Sequence, residues 1–72
     1  MTKRYLIVME GTSTGYSAYS PDLPGCAATG ATEPEVEQKM REAIELHVAG
    51  LKRQGEPVPE PHSSSSYVEV SA

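Results

Sequence analysis

Three kinds of side chain in this 72-residue sequence are able to do chemistry: carboxylates near the ends of short apolar segments, one thiol, and two imidazoles. Asp22 stands in the turn Asp22-Leu23-Pro24-Gly25-Cys26, where a carboxylate can hold a cation or take a proton. An Asp ahead of a Leu-Pro-Gly turn more commonly accepts hydrogen bonds from nearby backbone N–H groups, and that structural role is expected here. Cys26 has no neighbouring Cys or Lys to favour its thiolate, so it reads as a small buried apolar residue. His47 falls inside an apolar helical pattern and reads as a packed or interface residue. His62, beside four serines, suits either a metal ligand or an unstructured segment. One Cys and two His fall short of a structural zinc site unless carboxylates complete it, and no metal or cofactor is expected.

Two glycine-bounded stretches need separate treatment. Gly11-Thr12-Ser13-Thr14-Gly15 lacks the lysine of a phosphate-binding loop and joins two strand-like segments, which makes it a hairpin turn. Gly15-Tyr16-Ser17-Ala18-Tyr19 imitates a nucleophile elbow until its fifth position, where a glycine is required and Tyr19 stands. Serine hydrolysis is set aside.

The elements that position these residues follow from periodicity. Tyr5 to Met9 is an unbroken apolar run, read as a strand with faces Tyr5, Ile7, Met9 and Leu6, Val8. Tyr16 to Ser20 alternates as a second strand, so residues from about 4 to 20 form a hairpin. Pro21 and Pro24 break the ladder, and Cys26 to Thr29 is a short third strand of small residues ended by Gly30. Thr32 with Glu35 forms a capping box, and Pro34 lies in the first turn of the helix they open. Val36, Met40, Ala43, Ile44, His47, Val48 and Leu51 make one apolar stripe along about six turns, closed by Lys52, Arg53 and a C-capping Gly55. Alternating prolines keep residues 56–61 extended and lead the chain back along the helix. Tyr67-Val68-Glu69-Val70 alternates again as a last strand. The fold class is therefore α+β, in the order β-β-β-α-β. A right-handed crossover gives a four-stranded sheet of order 3-2-1-4, with one helix on one face. Leu6, Val8 and Tyr19 are left as a candidate oligomer face on the other.

Length and charge limit the function classes. A chain this short has room for one core, in which burial and chain entropy nearly balance; without a disulfide or metal, oligomerisation is the remaining support. The apolar run behind the basic N-terminus is too short for a signal peptide or a membrane span, so a cytoplasmic protein without a membrane partner is expected. A net charge of −4 does not suit a nucleic-acid footprint and favours a basic protein partner. Glu35, Glu42 and Glu45 on the helix are the candidate acidic face for that partner, although a solvated face is the default for such residues.

Across Tyr16-Ser17-Ala18-Tyr19-Ser20-Pro21-Asp22-Leu23-Pro24-Gly25-Cys26, then Ala28 to Thr32, Arg41 to His47 and Gly55-Glu56-Pro57-Val58-Pro59-Glu60-Pro61, the sequence resembles the HicB antitoxin family. The resemblance covers nearly all of residues 1–72 as one HicB-like domain. It implies a partial RNase H-like fold and the neutralisation of a HicA-type mRNA interferase. Full-length relatives carry a C-terminal DNA-binding segment. None fits between Val70 and Ala72, so no direct nucleic-acid contact is expected. The fold also raises a two-metal nuclease, with Glu10 and Asp22 as its strand-end carboxylates, but a shared fold does not carry a site with it. The expectation is a non-catalytic, self-associating antitoxin-like module; the alternative is a stand-alone structural or regulatory oligomer without a toxin.

Overall fold

The computed structural model describes residues 2–72. Three strands, β1 (Val8–Gly11), β2 (Tyr16–Tyr19) and β3 (Ala27–Gly30), form an antiparallel sheet in the order β1-β2-β3, followed by one helix, α1 (Glu33–Arg53). The fold is thus α+β. Val8 lies opposite Tyr19 and Gly11 opposite Tyr16, and the hairpin turn is closed by the Thr12 N–H donating to the Gly15 carbonyl at 2.8 Å. On the other side, Tyr19 faces Ala27 and Tyr16 faces Gly30.

Helix boundaries follow the local chemistry. The Thr32 hydroxyl accepts from the Glu35 N–H at 3.3 Å, while Glu35 Oε2 accepts from the Ala31 N–H at 2.6 Å, one residue earlier than in the standard capping box. At the far end Gly55 takes φ +72°, letting its N–H reach the Lys52 carbonyl and the Glu56 N–H reach that of Leu51. This is a Schellman closure, with Gln54 as the C-cap and Gly55 just beyond it.

The core consists of Ala18, Leu23, Cys26, Val36 and Met40, with Tyr5, Ile7, Met9, Tyr16, Ala28, Ala43 and Ile44 packed around it. Odd-numbered residues of the first segment therefore face the helix, and Leu6 and Val8 face away. The helix lies over β3 and β2 and scarcely touches β1. Gly30 permits the close approach: a Cβ there would sit 2.9 Å from Val36 Cγ2.

Among the described residues the sheet has three strands, and the fourth strand of the order 3-2-1-4 is not formed. Residues 64–72 belong to no element, and Tyr67, Val68 and Val70 are 100%, 81% and 78% exposed. Alternation makes a segment fit to be a strand, but a strand needs a ladder partner, and these residues lie against none. The first strand also starts later than the apolar run suggests. Opposite Leu6 the second strand has already turned, and the Leu6 carbonyl accepts from the Ser20 hydroxyl instead, at 3.0 Å.

Candidate partner-binding surface

The turn after β2 is built by two reverse turns. The Leu23 N–H donates to the Ser20 carbonyl and the Cys26 N–H to the Leu23 carbonyl, with Pro24 and Gly25 at the corner and Gly25 at φ +85°. Leu23 is thereby driven fully into the core, and Cys26 beside it is buried. Burial pushes the Cys26 thiol up, which disfavours the reactive thiolate.

Asp22 is buried too, and its partners are not in the turn. Oδ1 accepts from the Ser63 hydroxyl at 2.7 Å, and Oδ2 from the N–H groups of His62 and Ser63, each at 3.1 Å. His62 Nδ1 lies 3.1 Å from Oδ1 and 3.2 Å from the Glu60 carbonyl, two acceptors, so that nitrogen carries the proton. The Ser63 hydroxyl, and then the Ser63 and His62 N–H groups, hold the Asp22 carboxyl below the usual range against the opposing effect of burial. The expected bonds to nearby backbone are thus replaced by bonds to residues about forty positions away. His62 is placed by this clasp, and among the described residues no three Cys, His, Asp or Glu side chains converge to hold a metal.

The clasp fixes the return of residues 56–63. The Tyr5 hydroxyl donates to the Pro59 carbonyl at 2.6 Å, and Lys3 Nζ meets Glu60 Oε1 at 2.7 Å. Val58 closes a groove of about 420 Å³ with Tyr5, Ile44, Val48 and Lys52. A second, wider groove of about 710 Å³ runs between the β1 segment and α1, with Tyr5, Ile7, Met9, Met40 and Ile44 as its apolar lining.

The three helix glutamates are not equivalent. Glu35 is committed to the helix start and to Lys39 at 3.6 Å; the Ala31 N–H, and then Lys39, hold its carboxyl below the usual range. Glu42 accepts from Gln38, and Glu45 borders both grooves. Leu46, 73% exposed, lies one turn beyond Glu42. The apolar stripe excludes Leu46, and that position off the stripe is the sequence signal for an exposed anchor. On the sheet face away from the helix, Val8 and Tyr19 lie opposite each other, with Tyr19 exposed and Val8 and Leu6 half-buried.

Residues 5–71 match the model of a HicB-like antitoxin of bacterial toxin-antitoxin systems. The chain belongs to the HicB-like antitoxin family. Proteins similar to it include an uncharacterised 14.9 kDa protein from the rep-hol intergenic region of Haemophilus phage HP1, 33% identical over 89% of this chain and 48% of that protein. A UPF0150 protein of Synechocystis is 44% identical over 62% of this chain and 57% of its own length. A UPF0150 protein of Thermoplasma acidophilum is 32% identical, covering 78% of this chain and 83% of the relative. The chain thus spans about half the length of the first two. Among solved structures, a chain of the HicA3 and HicB3 toxin-antitoxin complex superposes with a TM-score of 0.70 at 32% identity, over 83% of this chain and 70% of that one.

Proposed function

We propose that this HicB-like chain is a non-catalytic module that neutralises a HicA-type mRNA interferase by covering its active surface. The observation that carries the reading is the likeness to a chain of the HicA3 and HicB3 complex at 32% identity, joined to the family match. The outer face of α1, with Glu42 and Glu45 around the exposed Leu46, is the surface assigned to the basic toxin: an apolar anchor inside an acidic rim suits such a partner. Glu35 contributes charge there but is held by the helix cap. The non-catalytic part of the reading is supported by Asp22, whose carboxylate is already engaged by donors, and by Cys26, whose thiol is raised by burial. The acidic balance supports a protein partner over direct nucleic-acid contact. Among the described residues no helix is long and apolar enough to cross a membrane. The partial RNase H-like fold remains part of the proposal, with the free edge of β1 as the slot for its fourth strand.

The test is co-expression with a HicA-type toxin, sought first among the reading frames that flank this gene. The chain is expected to restore growth and to co-elute with the toxin, and the double substitution Glu42→Lys, Leu46→Lys is expected to weaken the complex at least tenfold. Absence of both rescue and co-elution overturns the toxin reading. Exposure of Tyr67, Val68 and Val70 gives the stand-alone oligomer a specific observation in its favour.

A further inference from the structure

β3 ends the sheet on the side away from β1, and among the described residues no strand lies beyond it. Its register decides which backbone groups face outward. The Ser20 N–H donates to the Cys26 carbonyl across the ladder, so the alternate pairs Ala18 with Ala28 and Tyr16 with Gly30 carry the ladder bonds. The N–H and C=O groups of Ala27 and Thr29 therefore point away from β2. The Lys39 ammonium confirms the parity by reaching the Thr29 carbonyl from α1, at 3.1 Å. Ala27 and Thr29 are small and exposed, so another backbone can approach this edge.

The helix supplies a wall for the same edge. Glu35, Lys39, Glu42 and Leu46 follow at steps of three and four residues and share one stripe of α1. The Glu35 carboxylate lies beside Gly30 and Lys39 beside Thr29, so the stripe runs back along β3, with Glu42 and Leu46 toward its Ala27 end. The stripe is about 16 Å long and the strand about 13 Å. Lys39 is paired with Glu35 at 3.6 Å, whereas Glu42 is bonded to the neutral Gln38. One carboxylate without a cation and the exposed Leu46 thus stand together on the stripe.

We infer that the outer edge of β3 and this stripe form one docking surface for an extended segment of the basic toxin, which adds to the sheet as a strand. Its backbone pairs with Ala27 and Thr29, a cationic side chain meets Glu42, and an apolar one packs on Leu46. This docking mode rests on the toxin reading and adds to it the shape that the partner presents. Charge selects a basic partner over a second copy, which would bring a further net −4 to the same edge. The incoming strand takes the Thr29 carbonyl from Lys39, and Lys39 keeps Glu35 as its partner on the helix.

Amide exchange and one proline test it on the full chain with its co-purified toxin. The outward Ala27 and Thr29 amides are expected to exchange about a hundredfold more slowly in the complex than in the free chain. Thr29→Pro removes one outward N–H and leaves the ladder bonds of Ala28 and Gly30 in place. It is expected to keep Tm within a few degrees of the wild type and to weaken the complex about tenfold. A complex in which both amides exchange as in the free chain, or one that a folded Thr29→Pro chain forms with wild-type affinity, overturns the proposal and leaves the toxin reading standing. Exchange needs no variant, so it decides even where the proline disturbs folding. Absence of any complex overturns the toxin reading and this docking mode with it. A chain that dimerises alone and becomes monomeric with Thr29→Pro gives the edge to a second copy, which also overturns the proposal.

Discussion

Asp22 accepts three of the hydrogen bonds that tie the return segment to the core. Its carboxylate takes the Ser63 hydroxyl and two N–H groups in a buried site, so it is bonded as an anion. A carboxyl held below its unfolded value stabilises the fold fully above about pH 4 and loses that contribution as pH falls through its lowered native value. Asp22→Asn removes this dependence, because the amide cannot ionise. The urea midpoint of the wild type is expected to drop below about pH 4 more steeply than that of the variant, and the His62 and Ser63 amides are expected to exchange faster in the variant at pH 7. Equal slopes and equal exchange would show that the clasp contributes nothing. Sequence reading anticipated a structural acceptor at this position but not its partners, since turn chemistry is local and Ser63 is brought in by the prolines and by Tyr5.

At the scale of elements, the closest join is between β3 and α1. Gly30 passes under Val36 and the Glu35 carboxylate, so Gly30→Ala must lift the helix start from the sheet. A loss of about 1–3 kcal/mol is expected, read as a fall in Tm of several degrees with the helix signal retained. An unchanged Tm would mean that Glu35 simply swings aside. The helix was legible almost to the residue, because Thr32, Pro34 and Gly55 act within one turn of their own positions. The hairpin was legible for the same reason. The last strand was not: Tyr67-Val68-Glu69-Val70 has the right period, but period does not say which chain supplies the ladder. Leu46 shows a related limit. Its place off the apolar stripe is visible in the sequence, but only its exposure shows that the fold leaves this apolar side chain in water.

For the whole molecule, 72 residues form one small core and leave a large exposed surface. If a second copy covers part of it, stability becomes a function of concentration. A hundredfold dilution of the wild type is expected to lower Tm by several degrees, while the Val68→Lys, Val70→Lys variant melts at one temperature throughout. A wild-type Tm independent of concentration would count against assembly. Under the proposed function the negative charge acts at this scale too, favouring encounter with a basic partner over many orientations, with Leu46 as the proposed anchor that selects one.

The tie between Asp22 and Ser63 closes a loop across 41 positions. In a chain with one cysteine, it stands in the folded state where a cross-link could, holding together points far apart along the backbone, but it opens with the fold, so closing its loop costs chain entropy instead of saving it. A covalent bridge would answer to the reductants around it. This one answers to acid: its contribution is lost as pH falls through the lowered value of a single carboxyl, and no reductant acts on it.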